Sequence, residues 1–307
     1  MNLLITGGCG HIGSYLIHNI AKIRKIKKTY VIDNFKSTNI NSLFDLEKKN
    51  KISFHQIDLS KKDCLKKFKN VSYVIHLASM TNAAGSFNKK KEMYKNNIGC
   101  LRNVISFCKK NKSKLIHISS TSVYGKQTSL VDETCERKFL KPQSPYADIK
   151  LIEERMLKKE TKNLSYITYR FGTISGISKG MRFHTAVNKF CLYASLNTDI
   201  SVYKTALHQY RPYLSLKDSF KLFKFTIEKD LFNNDIYNAL SENCTVNQII
   251  QKIKKFKKNI KIKFVSSEIM NQLSYHVDKR KLNNEGLILN NKIENDVKDT
   301  MKLLMYI

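Results

Sequence analysis

The chain has 307 residues, 42% hydrophobic and 26% charged, with 7 Cys, no Trp and a formal net charge of +30. This is globular composition with apolar material for one large or two intimate domains. The longest apolar runs, such as Val71 to Ala78 with His76 inside it, are far shorter than the roughly 20 residues that span a bilayer, so no transmembrane helix and no membrane partner are expected.

Met1-Asn2 leads straight into apolar Leu3-Leu4-Ile5 with no basic leader, so no secretory signal is expected. The cysteines are odd in number and scattered from Cys9 to Cys244 without a CxxC pair or a Cys/His cluster at zinc spacing. The expectation is a reduced, cytoplasmic protein without a metal site. The positive charge comes from 47 Lys and only 8 Arg. Readers of phosphates and base edges lean on the planar fork of Arg, so the lysine excess reads as a solvated basic surface and nucleic acid is not expected as the main partner.

In chain order, short apolar runs recur at Leu3 to Thr6, Thr29 to Asp33, Ile52 to Ile57, Val71 to Ala78, Lys114 to Ser119 and Leu164 to Phe171. Helical spacing of apolar residues fills Ile12 to Ile23, Met93 to Lys110 and Tyr146 to Lys159. The alternation predicts an α/β fold with a doubly wound parallel sheet. After Gly176 the rhythm breaks: Met181 to Leu196 and Val246 to Lys258 read as helices and Lys261 to Val265 as a strand, which predicts a smaller α/β substrate lobe. The strand-like Ile200 to Tyr203 and helix-like Lys217 to Glu228 imply a return to the first domain. The division expected is 1–176 with 200–240 as the first domain, and 177–199 with 241–307 as the lobe. In the lysine-rich stretch 252–258, Ile253 and Phe256 lie three apart and are expected to face the core beneath a basic surface.

Gly7, Gly10 and Gly13 in Thr6-Gly7-Gly8-Cys9-Gly10-His11-Ile12-Gly13 follow the first strand and open a helix. This is the GxxGxxG spacing of a dinucleotide-binding Rossmann-type turn, where glycines admit a pyrophosphate to the helix N-terminus. Asp33 ends the next strand twenty residues after Gly13. A carboxylate there accepts the adenosine ribose hydroxyls and repels a 2′-phosphate, so NAD is predicted over NADP.

With Asp58-Leu59, Val74-Ile75-His76-Leu77-Ala78, and Asn96 three before Gly99, the chain resembles the extended short-chain dehydrogenase/reductase family, and within it the nucleotide-sugar epimerases and dehydratases. The resemblance implies that NAD is lined by Gly7, Gly10, His11, Ile12, Gly13, Asp33, Asn34, Leu77, Ala78, Ser79 and Phe171. It places Asp58 and Leu59 beside the adenine and Asn96 beneath the cofactor, and makes His76 a buried strand residue.

Tyr146-Ala147-Asp148-Ile149-Lys150 is a YxxxK on a predicted helix, which puts Tyr146 and Lys150 on one face. A phenol of ordinary pKa near 10 is a poor base at neutral pH, and an adjacent ammonium favours its phenolate. Such a pair takes a proton from a sugar hydroxyl as hydride leaves the carbon. In Ser119-Ser120-Thr121-Ser122-Val123-Tyr124-Gly125 the family's hydroxyl position falls on Ser120, with Thr121 the alternative. The resembling 4,6-dehydratases carry Asp-Glu where this chain has Thr121 and Ser122, so dehydration is disfavoured. The resemblance assigns Thr173 (Asn in most of the family), Asn188 and Arg211 to the nucleotide-sugar diphosphate or base, with an ion pair to Asp218 the other reading of Arg211. A second diphosphate arginine is not evident in Ser266 to Ser274, and Arg182 or Arg280 stand as replacements. A homodimer is implied through the YxxxK helix and the one before it. The function expected is NAD-dependent epimerisation of a nucleotide-diphosphate sugar, at C4. Its rivals are net oxidation or reduction at the same site and, further off, dehydration or a non-catalytic RNA binder.

Overall fold

The computed structural model describes residues 1–36, 40–82, 84–127, 130–266 and 275–305. Through its first half the chain runs β1 (Asn2–Thr6), α1 (His11–Asn19), β2 (Lys28–Asp33), β3 (Ile52–Gln56), β4 (Tyr73–His76), α2 (Lys90–Asn111), β5 (Lys114–Ser120), β6 (Leu130–Val131), α3 (Pro145–Lys158) and β7 (Tyr166–Phe171). It continues with β8 (Thr173–Ser175), α4 (Ala186–Ser195), β9 (Ile200–Tyr203), β10 (Tyr210–Ser215), α5 (Leu216–Lys229), β11 (Ile236–Ala239), β12 (Glu242–Thr245), α6 (Val246–Lys254), β13 (Ile262–Val265), β14 (His276–Val277), α7 (Arg280–Asn284) and α8 (Ile293–Leu303). None of these helices is long and apolar enough to cross a membrane.

Seven strands form one parallel sheet in the order β3-β2-β1-β4-β5-β7-β11. Successive side chains of a strand point to opposite faces, so Leu3 and Ile5 enter one core with Leu16, Leu222 and Phe223, and Leu4 enters the other with Leu101, Val104 and Leu157. A sheet covered on both faces needs apolar strands throughout, which is why these runs do not alternate with polar residues. The strand order reverses between β1 and β4, and a crevice opens there at the C-terminal ends of the strands.

The smaller lobe has its own core, built from Val187, Cys191, Val202, Ile249, Ile253 and Val297 among others. The expected return of 200–240 to the first domain is divided. β11 joins the large sheet and α5 packs into its core, but β9 pairs with β13 and its Ile200 and Val202 belong to the lobe. Leu282, Leu287 and Leu289, expected in the lobe, pack against the large sheet instead. In the basic stretch, the buried stripe is Ile249, Ile250 and Ile253; α6 stops at Lys254 and leaves Phe256 42% exposed, not facing the core. A helix ending one turn early rotates the next apolar residue off the buried face. The helix expected from Met181 begins only at Ala186.

The Asp296 carboxylate on α8 accepts the hydroxyls of Ser175 on β8 at 2.5 Å and Ser215 on β10 at 2.8 Å, two strands of a separate three-stranded sheet. Burial pushes this acid up to about 6, although both hydroxyls draw it back down. The unfolded chain ionises it near pH 4, so between about pH 4 and 6 the folded chain holds more protons and loses stability as pH rises. Asp296→Asn should therefore gain about 2 to 3 kcal/mol over the wild type at pH 7 and nothing below about pH 4, as read by urea unfolding at the two pH values.

Candidate active site

At the tight turn after β1 main chains approach one another closely. Gly7 has φ +70°, and a Cβ there would lie 2.6 Å from the backbone nitrogen of Ala78; one on Gly13 would lie 2.5 Å from the Gly7 carbonyl oxygen. Only glycine meets both conditions, a left-handed backbone and contact with a neighbouring main chain. The turn is held by Asp33, whose carboxylate accepts the amides of Cys9 and Phe35, each at 3.0 Å. From the other side the segment 176–182 lies across it. His11 Nε2 bonds the Gly176 carbonyl at 2.8 Å, Ser178 Oγ donates to the His11 carbonyl at 2.9 Å, and the Gly180 amide donates to Ser14 Oγ at 3.0 Å. Burial pushes the His11 ring down to about 4, so it is neutral at pH 7 and donates to the carbonyl, which can only accept.

This turn opens onto a cavity of about 900 Å³ lined by Gly7, Gly10, His11, Ile12, Gly13, Asp33, Asn34, Leu59, Leu77, Ala78, Ser79, Asn96, Ser120, Thr121, Tyr146, Lys150, Phe171, Thr173 and Arg211. Residues spread in sequence from Gly7 to Arg211 thus line one cavity. Asn96 stands beside Asn97, whose side chain accepts the Met80 amide at 2.8 Å and donates to the Met80 carbonyl at 3.1 Å, fixing the loop after β4. His76 is buried as expected and also borders the cavity.

Two expected residues are elsewhere. Asp58 is not on the cavity wall; its carboxylate accepts the amide and the hydroxyl of Ser60, at 3.0 and 2.7 Å, closing the turn after β3. Asn188 is fully buried, accepting the Gly176 amide at 3.3 Å and donating to the Arg182 carbonyl at 3.1 Å. An amide side chain with donor and acceptor both engaged by backbone shapes the segment beneath the cavity and does not face it. Arg211 makes no ion pair with Asp218, whose carboxylate accepts Ser241 Oγ and the Asn291 amide. Of the two replacement arginines, Arg280 pairs with Asp278 on the surface, whereas Arg182 lines the cavity, donates to Thr81 Oγ1 at 3.0 Å and comes within 3.8 Å of a Cβ placed on Gly10. Most of 266–274, searched for a second diphosphate arginine, lies outside the described residues.

α3 brings the YxxxK pair to the wall. Ser144 caps it by accepting the Ala147 amide at 3.2 Å and Pro145 begins its first turn, a start pre-organised by hydroxyl capping and a fixed φ. The Lys150 ammonium lies 5.8 Å from the centre of the Tyr146 ring. Burial raises the Tyr146 phenol, while Lys150 and a hydrogen bond from Ser120 draw it back. Ser120 Oγ in turn lies 2.8 Å from Ser122 Oγ, and Thr121 is turned to the Phe171 carbonyl at 3.1 Å. Missed in the sequence as site residues were His184 and Tyr275, which also line the wall; no local pattern marks them. Missed too were Glu153 and Glu154, which follow the YxxxK and reach buried partners on β5 and β7. Their signal was present: two adjacent acids on a helix that must bury one face.

Gly13→Ala places a methyl against backbone on two sides, with no flexible side chain to yield. It should lower stability by several kcal/mol, on the order of 2 to 4, visible as a fall in thermal midpoint of the purified protein, whereas Gly286→Ala, in open space but at φ +91°, should cost only the backbone strain of about 1 kcal/mol.

Residues 3–239 match the model of the NAD dependent epimerase/dehydratase family. The chain is 33% identical over 171 residues to a UDP-glucose 4-epimerase of Schizosaccharomyces pombe, covering 52% of this chain and 47% of that one. It is 27% identical over 252 residues to a dTDP-D-glucose 4,6-dehydratase of Dictyostelium discoideum, covering 77% and 57%. The chain spans about half the length of the curated relatives it matches. Among solved structures, a UDP-N-acetylglucosamine 4-epimerase from Methanobrevibacter ruminantium, in complex with UDP-N-acetylmuramic acid, superimposes with a TM-score of 0.85 at 25% identity, covering 99% of this chain and 98% of that one. With residues 3–239 matching that family model, the chain belongs to the NAD-dependent epimerase/dehydratase family of extended short-chain dehydrogenase/reductase enzymes.

Proposed function

We propose that this chain is an epimerase that inverts C4 of a nucleotide-activated sugar through a transient keto-sugar. The observation that carries the reading is the meeting of Ser120, Tyr146 and Lys150 on one cavity wall with Thr121 and Ser122, not carboxylates, in the next two positions. Among the described residues, the carboxylates that line the cavity are Asp33, engaged at the glycine turn, and Glu92, exposed in the first turn of α2. Elimination of water needs an acid and a base beside the sugar; exchange of a proton and a hydride at one carbon needs only a single proton-transfer group.

The residues present fit NAD. A cradle at Gly7 and Gly13 that any Cβ would fill, the amide-rich start of α1 and the Asp33 carboxylate suit a pyrophosphate and an unphosphorylated ribose. When bound, NAD supplies reversible hydride chemistry. Tyr146 takes the hydroxyl proton and later returns it, Ser120 shares that proton, and Lys150 favours the phenolate and the nicotinamide ribose. Arg211 and Thr173 hold the diphosphate end of the sugar, a task for which the guanidinium fork suits. A homodimer through α2 and α3, with Tyr94 on α2 48% exposed, and a cytoplasmic, reducing location, consistent with seven unpaired cysteines, complete the reading.

Purified protein, denatured and analysed by mass spectrometry, should release NAD. Incubation with UDP-, GDP-, CDP- and dTDP-sugars should convert one donor to an isobaric product with no net change in nicotinamide absorbance. Tyr146→Phe should lower that turnover by about 10²- to 10⁴-fold. Net NADH formation or consumption would instead establish a dehydrogenase or keto-reductase. Absence of bound dinucleotide, with no turnover when NAD is added, overturns both.

A further inference from the structure

Behind the Tyr146 and Lys150 wall lies a buried polar cluster that the reading above leaves without a role. Thr6, His76, His117 and Thr168 stand in register on β1, β4, β5 and β7, so their side chains leave one face of the sheet in a row. α3 packs on this row and presents Lys150 and Glu153 to it. Lys150 Nζ donates to Glu153 Oε2 at 2.7 Å, and His117 Nε2 lies 3.0 Å from the same oxygen. The Lys150, Glu153 and His117 side chains are 5%, 1% and 0% exposed.

The protons follow from the acceptors. A carboxylate cannot donate, so His117 Nε2 carries hydrogen toward Glu153, and with the ring kept neutral by burial its Nδ1 accepts the Thr168 hydroxyl at 3.3 Å. Glu153 thus receives one charged and one neutral hydrogen bond. On the next strand His76 Nδ1 lies 2.8 Å from Thr6 Oγ1. An acid three residues after a lysine is ordinarily a solvated surface pair. Burying one costs both ions their hydration, and apolar residues of similar volume serve stability as well or better.

We propose that Glu153, held by His117, is a positioning residue for the active centre: it pins the Lys150 ammonium beside Tyr146 and cancels part of its charge, thereby setting the pH at which Tyr146 becomes a base. This rests on the reading of Tyr146 as the base. The groups facing the pair are Tyr146 and Glu154 on α3, His117 on β5, His76 on β4, Arg170 on β7 and Cys100 on α2. Arg170 and Glu154 neutralise one another at 2.8 and 3.0 Å, His76 is held neutral by burial, which pushes it down to about 3, and burial likewise keeps the Cys100 thiol protonated by pushing it up to about 12. Near neutral pH, Lys150 and Glu153 are the charges that act on Tyr146, in opposite directions.

The test is a titration of Tyr146 in protein carrying tyrosine labelled with carbon-13 at the phenolic carbon, the Tyr146 signal being identified by its loss in Tyr146→Phe. It is run on the protein as purified and again with saturating NAD. Glu153→Gln should lower the Tyr146 midpoint by on the order of one pH unit, and Glu153→Asp should leave it within a few tenths of the wild type. A Gln variant that titrates with the wild type overturns the proposal, since a merely structural acid would change stability without moving this midpoint. Should Glu153→Gln alone not fold, the double variant Lys150→Met/Glu153→Gln replaces the buried pair by an uncharged one. Its midpoint should lie below that of Lys150→Met, in which Glu153 remains, by on the order of one pH unit, and coincident midpoints in the two variants overturn the proposal. The readout needs no sugar, so a failed epimerase reading shows as absent turnover while the titration still decides this inference.

Discussion

The placement of α3 depends on two adjacent buried carboxylates. Glu153 accepts from Lys150 and His117, and Glu154 accepts from Arg170 and Ser119. Leaving either acid buried without its partner costs about 3 to 5 kcal/mol, far more than a surface contact contributes. Each pairing therefore selects one rotation of the helix against β5 and β7. With that rotation set, Lys150 and Tyr146, about one and two turns nearer the N-terminus, have no choice of wall. Tyr146 and Lys150 are held from beneath by two carboxylates that do not themselves reach the cavity.

The second constraint is the close passage of two main chains at the glycine turn. Segment 176–182, the first chain to leave the large sheet for the lobe, binds the turn through His11, Ser14 and Ser178. Gly180 belongs to the same contact, since a Cβ there would lie 2.6 Å from the Cys9 carbonyl oxygen. The segment leading into the lobe is thereby tied to the glycine turn, and Arg182 at its end lines the cavity. Asn188, from the first turn of α4, holds this crossing by bonding the backbone at Gly176 and Arg182.

The basic composition takes a specific form in three dimensions. Several lysines make exposed pairs with acids, such as Lys109 with Glu160 and Lys255 with Glu294, which contribute little to stability in water. Others, Lys36, Lys89 and Lys189, border the cavity beside Arg182 and Arg211. A cleft whose rim carries one sign of charge concentrates ligands of the opposite sign. The excess of positive charge is thus compatible with small diphosphates without requiring a polyanionic partner.

Much of the fold was legible because it is local. Strand and helix periodicity, the three glycines, Asp33 at a strand end and the YxxxK each express their constraint within a few residues, and all of them line or frame one cavity. What remained unreadable depended on distance in sequence. Whether Asp58 or Asn188 faces the cavity is decided by which backbone atoms their side chains find first, Ser60 for one and Gly176 for the other. That Glu153 meets His117, 36 positions away, and that Arg182 and Tyr275 join the same wall, is decided by strand order and by the lobe folding back. By itself the sequence determined the glycine turn, the doubly wound sheet and the placing of Tyr146 and Lys150 on one helix face, because steric and helical rules act between near neighbours. Only the tertiary structure decided which buried charges balance one another, because the interaction of charges depends on their separation in space and on the loss of water around them.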